Sequence, residues 1–247
     1  MTARSPLTLF ISDLHLCRSR PDITEQFRAF LQGPARRAEA LWILGDLFEA
    51  WIGDDAADSF EQEIAGLLSA CAASGTQIHF LHGNRDFLLG HDFCRSAGMQ
   101  RSEQPVVIDL YGTPTLLLHG DTLCTDDAQY QRYRRRISNP DWQHRMLARP
   151  VWVRRLIARS LRLASRLRNR RDDAPWMDVA DNAVEQAFRE YAVTRMIHGH
   201  THRPNRHCHM VDGRECERIV LGDWYSQGSL LAATPDGLEL KTLPREA

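Results

Sequence analysis

Residues 7–15 read LTLFISDLH and residues 40–46 read ALWILGD, and these two stretches decide the fold. Each is a short, mostly apolar run that ends at an aspartate. Runs of this kind are typical of strands buried on both faces of a sheet. We therefore predict strands at Leu7–Ile11 and Ala40–Leu44. The same reasoning predicts further strands at 78–81, 116–118, 196–197, 219–221, 230–233 and 238–243.

Helical patterns lie between these runs. Two sets of apolar residues recur at helical spacing, each on one face: Ile23, Phe27, Phe30 and Leu31, and then Phe60, Ile64, Leu67 and Leu68. An alternation of strand, polar loop and helix predicts an α/β fold. In such folds functional side chains sit at the carboxyl ends of strands. Here most of the predicted strands up to residue 197 end at Asp, Asn or His.

The composition is that of an ordinary globular protein. The chain has 247 residues, of which 43% are hydrophobic and 26% charged, which suits one domain or one domain with a large insertion. No apolar run approaches the roughly 18 residues of a membrane-spanning helix, and the first residues lack the pattern of a signal peptide. The six cysteines form no CxxC pair, so we expect reduced thiols in a cytoplasmic protein.

The charge of the chain is unevenly distributed. The net charge is −1, yet residues 132–171 hold fourteen arginines and a single acid, Asp141. This segment therefore carries +13 and the rest of the chain −14. Such a division predicts a polyanionic or membrane-surface partner for one segment only.

The arginine-rich segment also has a helical pattern of apolar residues, and Asp178 is placed to cap a further helix that runs through Tyr191. We predict a helical insertion at 122–195 that covers the site as a cap. The core would then consist of residues 1–121 and 196–247.

The arginine-rich insertion has three interpretations. It is a solvated basic face packed on the sheet, a nucleic-acid-binding surface, or an amphipathic cap that rests on an anionic membrane leaflet and encloses acyl chains. Nucleic-acid binding favours interleaved aromatic residues, whereas the regular feature here is an aliphatic stripe. We therefore expect no nucleic-acid partner and prefer the lipid-facing cap.

Five polar motifs stand at predicted strand ends. They are Asp13-Leu14-His15, Gly45-Asp46, Gly83-Asn84-Arg85-Asp86, His119-Gly120-Asp121 and His198-Gly199-His200-Thr201-His202. Any one alone is ordinary turn chemistry. Together they supply oxygen and imidazole donors, which suit divalent ions such as Mn, Fe or Zn. Alternate residues of a strand point the same way, so Asp13 with His15, and His200 with His202, should converge on one site.

The five motifs supply more ligands than one ion needs if that ion keeps coordination positions open for water or substrate. Two ions that share a bridging carboxylate, about 3.5–4 Å apart, would use them. With Asp13 and Asp46 as the only anionic ligands, such a pocket stays positively charged and favours an anionic substrate and an acidified water. The motifs therefore predict hydrolysis of a phosphate ester or a pyrophosphate.

The order DxH, GD, GN, HGD and GHxH resembles the calcineurin-like metallophosphoesterase superfamily. Longer stretches, among them LGDLFEAWIGDD at 44–55 and HGDTLCTDD at 119–127, are similar to the UDP-2,3-diacylglucosamine diphosphatases of the lipid A pathway. The resemblance covers almost the whole chain, including the insertion. It implies an α/β metallophosphoesterase fold, an αββα sandwich with an inserted helical cap. It also implies hydrolysis of the pyrophosphate bond of UDP-2,3-diacylglucosamine to UMP and 2,3-diacylglucosamine 1-phosphate.

The resemblance implies two Mn²⁺ ions as cofactors. The first ion would be bound by Asp13, His15, Asp46 and His202. The second would be bound by Asp46, Asn84, His119 and His200, so that Asp46 bridges the two. His198 precedes the matching GHxH motif, and we expect it to pack or to support a ligand rather than to bind metal.

The resemblance also implies the residues that meet the substrate: Asn84, Arg85, Asp127, Ser165, Asn169 and His200. Catalysis would fall to Asn84, Arg85 and His200, with metal-activated water attacking the α-phosphorus. Many members of the superfamily have a histidine in place of Arg85. This histidine can protonate an alkoxide leaving group. A guanidinium cannot act as an acid, but it stabilises the charge of a phosphate leaving group. Arg85 therefore favours pyrophosphate cleavage, and an ion pair to Asp86 or another acid is its alternative role.

Two other classes of protein compete with this interpretation. A nucleotide phosphodiesterase or nuclease of the same fold would use the same metals without an amphipathic cap. A non-catalytic binding module typically loses metal ligands, and all seven are present here. The resemblance implies a peripheral position on the cytoplasmic face of the inner membrane, against its anionic leaflet. We expect the chain to be a monomer.

Overall fold

The computed structural model describes residues 6–169 and 178–244, with side chains at all of these positions except 163–169. In this part of the chain two β-sheets pack face to face, and helices cover the outer face of each sheet. The predicted α/β fold, a four-layered αββα sandwich, is confirmed.

The first sheet has six strands, most of them from the N-terminal half of the chain. They are β1 (Thr8–Ile11), β2 (Ala40–Leu44), β3 (Gln77–Leu81), β4 (Met99–Arg101), β10 (Gly228–Thr234) and β11 (Gly237–Leu243). Their order in the sheet is β11-β10-β1-β2-β3-β4. Strands β1 to β4 are parallel, so their carboxyl ends lie at one edge of the sheet.

The second sheet has five strands. They are β5 (Val106–Leu110), β6 (Thr113–Leu117), β7 (Arg195–His198), β8 (Asn205–Val211) and β9 (Arg214–Val220), in the order β5-β6-β7-β9-β8. The three central strands β6, β7 and β9 are parallel. The first sheet therefore has antiparallel pairings on one side only, at β10 and β11. The second sheet has a parallel centre flanked on both sides by antiparallel strands.

Eight helices lie within the described residues. On the outer face of the first sheet they are α1 (Pro21–Gln32), α2 (Pro34–Arg37), α3 (Ser59–Ala73) and α4 (His91–Ser96). Between β6 and β7 the chain forms α5 (Ala128–Ile137), α6 (Pro140–Leu147), α7 (Val151–Asn169) and α8 (Asp181–Glu190). Helix α8 packs on the outer face of the second sheet through Val184 and Phe188.

Apolar side chains fill the space between the layers. Phe10, Leu44, Leu117 and Ile219 are fully buried between the two sheets. The predicted apolar faces of α1 and α3 pack against the first sheet. Each fully buried side chain of this kind contributes roughly 1.5–3 kcal/mol. The apolar packing between the two sheets and against the helices therefore holds the strand ends of the two sheets in fixed positions relative to each other.

Helix α3 begins with a capping box that its sequence dictates. The Asp58 carboxylate accepts a hydrogen bond from the backbone N–H of Phe60, and the Glu61 carboxylate accepts one from the backbone N–H of Asp58. These bonds satisfy backbone donors that the first helical turn leaves unpaired.

The predicted capping role of Asp178 is wrong. Helix α8 begins at Asp181, and its N-cap residue is Ala180, which makes no side-chain capping bond. The Asp178 carboxylate instead accepts hydrogen bonds from the backbone N–H of Val179 and from the Arg203 guanidinium. Asp178 thus pairs with Arg203, far along the chain, and does not cap α8.

All eight predicted strands are present, and three strands were not predicted. Strand β2 has the predicted bounds, and the others differ by a few residues at their ends. The missed strands are β4, β5 and β8. Strands β5 and β8 lie at the edges of the second sheet and alternate between exposed and more buried positions. Continuous apolar runs indicate strands that are buried on both faces, and β5 and β8 lack such runs. The edge strand β11 was predicted although it also alternates in exposure.

Helix α7 is attached to the core by a buried arginine. The Arg154 side chain is only 2% exposed, and its guanidinium pairs with the Asp55 carboxylate and donates to the carbonyl of Ile52. Other residues of the arginine-rich segment also bind core acids, as Arg134 does with Asp121. The basic segment is therefore in part a set of ion pairs with the core. No helix among the described residues has both the length and the apolar character needed to cross a membrane.

Candidate metal centre

Five strands of the two sheets end around one buried pocket. Asp13 follows β1, Asp46 follows β2 and Asn84 follows β3, while His119 follows β6 and His200 follows β7. His15 and His202 lie two residues beyond Asp13 and His200. The structure thus brings together all seven residues that were predicted as metal ligands.

A first cluster consists of Asp13, His15 and His202. The Nε2 atoms of His15 and His202 are 3.4 Å apart, and Nε2 of His202 is 3.3 Å from Oδ1 of Asp13. Nε2 of His15 is 3.9 Å from Oδ1 of Asp13 and 3.9 Å from Oδ2 of Asp46. The ligand atoms of Asp13, His15 and His202 lie within 4.8 Å of one another, close enough to share one ion.

A second cluster lies beside the first. Nε2 of His119 is 3.0 Å from Oδ1 of Asn84, 3.2 Å from Nδ1 of His200 and 3.8 Å from Oδ2 of Asp46. Oδ2 of Asp46 is thus within 4 Å of a histidine in each cluster. The carboxylate of Asp13 also lies within 4.8 Å of the donors of Asp46 and His119.

The backbone of this pocket is unusual. Among residues 6–169 and 178–244, eight residues other than glycine have a positive φ, and five of them are Asp13, His15, Asp46, His200 and His202. Such left-handed conformations are strained for residues with a side chain and concentrate at functional sites. The predicted reason for convergence, strand alternation, is therefore wrong. Strands β1 and β7 end before these residues, and left-handed turns direct the side chains inward.

Two glycines let the loops approach each other. A Cβ atom on Gly83 would overlap the carboxylate of Asp46, and one on Gly199 would overlap Ser12 and the carboxylate of Asp13. Glycine is therefore required at both positions so that each carboxylate reaches the pocket.

Outer hydrogen bonds orient two of the histidines. Nδ1 of His119 donates to the carbonyl of Leu44 at 2.8 Å, and Nδ1 of His202 lies 3.1 Å from Oδ2 of Asp223. In each case the other nitrogen, Nε2, faces the pocket. Partners of this kind fix the tautomer and orientation of a metal-binding imidazole. Asp223 was not predicted, because no motif places it near His202.

Asp86 was also missed as a structural residue of the site. Its buried carboxylate accepts hydrogen bonds from the backbone N–H groups of Asp46, Leu47 and Gly83. It thereby fastens the loop after β2 to the loop after β3. Asp86 is occupied in this way, and Arg85 pairs instead with two other acids, Glu49 and Asp46. The alternative of an ion pair therefore fails for Asp86 but holds for another acid.

The buried carboxylate and imidazoles of the first cluster shift one another's pKa. Burial opposes ionisation of Asp13, but the neighbouring imidazoles, led by His202, outweigh it and lower the pKa of Asp13. Burial also opposes protonation of His202, but Asp13 and Asp223 outweigh it and raise the pKa of His202 to about 10. Burial lowers the pKa of His15. The cluster thus balances its carboxylate with one protonated imidazole.

The second cluster differs from the first, because the pKa of its carboxylate is raised and not lowered. Burial, together with repulsion from Asp86 and Asp13, outweighs the attraction of His119 and raises the pKa of Asp46 to about 7. Burial disfavours the imidazolium of His119, but Asp46 and Asp13 outweigh it and raise its pKa to about 9. Burial lowers the pKa of His200 to about 4, and the charge on His119 adds to this effect. In each cluster the carboxylates thus favour the protonated form of one imidazole, His202 in the first and His119 in the second.

The donor set fits a divalent cation. Carboxylate and amide oxygens and imidazole nitrogens converge, and in each cluster two imidazole nitrogens face each other at 3.4 or 3.2 Å. Donors of this kind suit borderline-to-hard divalent ions. Several residues of the clusters have strained backbone conformations, and the outer nitrogens of His119 and His202 have oxygen partners. These are features of a metal site.

His198 lies outside the two clusters. Its Nδ1 donates to the carbonyl of Gly199 at 2.8 Å, and the Arg218 guanidinium lies 3.2 Å from its Nε2. Burial and the Arg218 charge lower the pKa of His198 to about 3. Both nitrogens are thus engaged away from the metal site, in agreement with the expected supporting role.

The remaining predicted residues line the cavity or lie outside the described side chains. Arg85 is 3.6 Å from a Glu49 oxygen and 4.0 Å from Asp46. Asp127 caps α5 by accepting from the backbone N–H of Tyr130 and also lines the cavity. Ser165 and Asn169 lie in α7, but their side chains fall outside the described part of the structure.

The metal site opens into a cavity of about 590 Å³. Polar side chains of the two clusters form part of its lining. The loops after β2 and β3 together with α5, α6 and α7 form the rest, which includes charged side chains such as Glu49, Arg154 and Arg162. The apolar lining residues include Trp51, Phe87, Tyr133, Met146, Ile157 and Leu161. The cavity lining is therefore amphiphilic.

The fold and the donor set define a metal-dependent phosphoesterase. The chain belongs to the calcineurin-like phosphoesterase family, whose sequence profile matches residues 7–204. This family assignment and the clustered donors together indicate use of a divalent metal ion. The predicted resemblance to this family is confirmed.

Three similar proteins share the name UDP-2,3-diacylglucosamine hydrolase. The protein from Pseudomonas paraeruginosa is 52% identical over 229 residues, covering 93% of this chain and 95% of the relative. The one from Azotobacter vinelandii is 50% identical over 237 residues, covering 96% and 98%. The one from Stenotrophomonas maltophilia is 48% identical over 246 residues, covering 97% and 99%. These matches span both the core and the arginine-rich segment.

Among solved structures, vacuolar protein sorting 29 from Cryptosporidium parvum superposes with a TM-score of 0.51. The two chains are 15% identical, and the match covers 97% of this chain and 91% of the other. At this identity the likeness is one of fold.

Proposed function

We propose that the chain hydrolyses the pyrophosphate bond of UDP-2,3-diacylglucosamine, giving UMP and 2,3-diacylglucosamine 1-phosphate in lipid A biosynthesis. The observation that carries the proposal is the amphiphilic cavity, whose lining combines the donors of the metal site with a set of apolar side chains. A sugar nucleotide with two acyl chains likewise has a charged and an apolar part. The names of the relatives that match over nearly the full length support this substrate.

The proposal includes two Mn²⁺ ions. One is held by Asp13, His15, Asp46 and His202, and the other by Asp46, Asn84, His119 and His200. When bound, such a pair of ions acidifies a water molecule and clamps the phosphoryl oxygens. Oδ2 of Asp46 lies between the clusters, which supports its role as the shared ligand.

The catalytic residues are Asn84, Arg85 and His200. Oδ1 of Asn84 faces the imidazoles of His119 and His200, so its amide group is left to donate to a phosphoryl oxygen. Burial keeps the His200 imidazole neutral near pH 7 by lowering its pKa to about 4. The guanidinium of Arg85 lines the cavity beside Asp46 and stabilises the charge that spreads over the phosphates in the transition state. Attack at the α-phosphorus makes the lipid phosphate the leaving group, which needs no general acid.

Substrate recognition extends from this centre into the cap. The proposed substrate-binding residues are Asn84, Arg85, Asp127, Ser165, Asn169 and His200. Asp127 lies where α5 begins, at the wall of the cavity. Ser165 and Asn169 belong to α7, the helix that Arg154 fastens to the core.

The insertion at 122–195 is the lipid-binding cap of this proposal, and residues 1–121 and 196–247 form the core. Helix α7 exposes Trp152 at 69% and Leu156 at 60%, beside exposed arginines. An exposed apolar stripe with flanking arginines suits the surface of an anionic leaflet. The chain would act as a monomer on the cytoplasmic face of the inner membrane, with no nucleic-acid partner.

The membrane surface gives a testable prediction. Trp152→Glu should lower turnover of UDP-2,3-diacylglucosamine in anionic vesicles by about tenfold or more, because it removes an apolar contact and adds charge repulsion of about 1 kcal/mol. Turnover of the same substrate in neutral detergent micelles should change little. Met210→Glu is the matched control, since Met210 is equally exposed at 68% but lies on β8. Equal losses in vesicles for both variants would remove the argument for a membrane-facing α7.

The reaction itself is tested by isotope labelling. Purified protein is incubated with UDP-2,3-diacylglucosamine and Mn²⁺ in ¹⁸O-labelled water, and the two products are analysed by mass spectrometry. The proposal expects the label in UMP, because water attacks the α-phosphorus. Label in the lipid phosphate would place the attack on the other phosphorus. No hydrolysis of this substrate, with rapid cleavage of nucleotide diesters, would favour the competing phosphodiesterase.

A further inference from the structure

We infer that Glu49 is a positioning residue that orients the metal ligand His15 and the guanidinium of Arg85, and couples both to Arg162 of α7. This inference deepens the proposed function, and its statements about catalysis rest on that proposal. Its effect on metal binding does not depend on the identity of the substrate. Glu49 lies in the loop after β2 and belongs to none of the five polar motifs.

The first argument is the outer nitrogen of His15. His119 and His202 each turn one nitrogen to the pocket and give the other to an oxygen acceptor. His15 also faces the pocket through Nε2, yet its buried Nδ1 has no hydrogen-bond partner within the described residues. Oε2 of Glu49 is 3.7 Å away from this nitrogen. An imidazole offers Nε2 to a cation when the proton resides on Nδ1, and Glu49 is the acceptor placed to hold that proton.

The second argument is the other oxygen of the same carboxylate. Oε1 of Glu49 lies 3.6 Å from NH1 of Arg85 and 3.5 Å from Nε of Arg162. The Glu49 side chain is only 12% exposed, so its charge is weakly screened by solvent. The guanidinium of Arg85, in the loop after β3, and that of Arg162, in α7, thus share one carboxylate oxygen. Glu49 thereby holds Arg85 against the cavity wall. The position of α7, which carries Arg162, determines how strongly Glu49 attracts Arg85.

The third argument is the rigidity of the loop that carries Glu49. Its backbone N–H donates to the carbonyl of Leu16, and Leu16 donates to the carbonyl of Leu47. The loop after β2 is thereby tied to the loop that carries His15. A carboxylate on this scaffold is fixed relative to the metal ligand, which is what a positioning role requires.

The test compares Mn²⁺ affinity with steady-state kinetics. Chelator-treated protein is titrated with Mn²⁺ by calorimetry, and kcat and KM are measured with saturating Mn²⁺. Glu49→Ala should weaken Mn²⁺ binding about 10- to 100-fold, as loss of an outer partner of a metal ligand does. Glu49→Gln keeps an oxygen acceptor for His15 but loses the charge that holds Arg85. It should therefore bind Mn²⁺ nearly as well as the wild type while its kcat falls like that of Glu49→Ala.

Coupling to the cap is tested with Arg162→Ala. This substitution should leave Mn²⁺ affinity unchanged, because Arg162 does not contact His15. Its effect on kcat/KM should disappear in the Glu49→Ala background, where its partner is already gone. Glu63→Ala is the matched control, since Glu63 is a glutamate paired with Arg28 far from the cavity, and it should change none of these values.

Three outcomes would overturn the inference. Wild-type Mn²⁺ affinity in Glu49→Ala removes the role toward His15. Unchanged kcat in Glu49→Gln removes the role toward Arg85, and this near-isosteric variant decides the matter if Glu49→Ala does not fold. Additive losses in the double variant remove the coupling to α7. Failure of the wild-type protein to hydrolyse UDP-2,3-diacylglucosamine would sink the proposed function, while the Mn²⁺ affinities would still decide whether Glu49 supports His15.

Discussion

Asp46→Ala should lower kcat by more than about a hundredfold, because loss of even an outer partner of a metal ligand costs 10–100-fold and Asp46 is placed to touch both ions. Its Oδ2 lies 3.9 Å from Nε2 of His15 and 3.8 Å from Nε2 of His119. Removing it takes a ligand from each half of the centre at once. The measurement is steady-state hydrolysis of UDP-2,3-diacylglucosamine at saturating Mn²⁺, together with the bound metal per chain.

Asp46→Asn separates the charge of this residue from its structural contact. Oδ1 of Asp46 accepts a hydrogen bond from the backbone N–H of Arg85 at 2.8 Å, and an asparagine can keep that bond. It cannot bridge two cations, so it should be nearly as inactive as Asp46→Ala. The surface variant Asp92→Ala, which removes an exposed carboxylate, serves as the control. Retention of a tenth of the wild-type rate by either Asp46 variant would contradict the shared-ligand arrangement.

Arg85→Ala should lower kcat by about 10²–10³-fold, in the range seen when one charge-stabilising donor is removed, with a much smaller rise in KM. The guanidinium faces the cavity beside Asp46 and Glu49. The charge that it stabilises develops mainly in the transition state, so its loss should appear in kcat. Separate determination of kcat and KM checks this expectation.

Arg85→Lys refines the same test. Lysine keeps one positive charge but loses the planar fork that contacts two oxygens at once. We expect partial recovery of kcat relative to Arg85→Ala. A rise in KM with kcat unchanged in both variants would make Arg85 a binding residue and would remove it from the transition state.

The central strands were predictable from the sequence because they are buried on both faces. Strand β2, with its apolar run before Gly45 and Asp46, matches its predicted bounds. Strands β5 and β8 were not, since they lie at sheet edges where polar residues alternate with apolar ones. A strand with one exposed face gives no continuous apolar signal, and its pairing depends on neighbours far along the chain.

A metal site at the five polar motifs was predictable because metal chemistry restricts the donor types that can stand together at strand ends. The choice of the seven ligands among these motifs came from the resemblance to the family. How these ligands converge was not predictable. Asp13 and His15 both adopt left-handed backbone conformations, which strand alternation does not describe. Such conformations are maintained by tertiary contacts, for example the bonds from the backbone N–H groups of Asp13 and His15 to the carbonyls of Gly45 and Asp46.

The supporting residues were the least predictable part of the site. Asp223 reaches His202 from the loop between β9 and β10, and Glu49 reaches Arg162 across more than a hundred residues. Neither contact has a local sequence signature. Asp86 had the best signal, because it closes the Gly83-Asn84-Arg85-Asp86 motif, but its bonds to the backbone of the β2 loop require the folded structure.

Anomalous diffraction at the manganese edge, on crystals grown with Mn²⁺, tests the dinuclear centre most directly. We expect two peaks per chain, about 3.5–4 Å apart, with the Asp46 carboxylate between them and the other six ligands divided as proposed. A single peak bound only by Asp13, His15 and His202, or two peaks that share no carboxylate, would contradict the shared-ligand arrangement on which the mechanism rests.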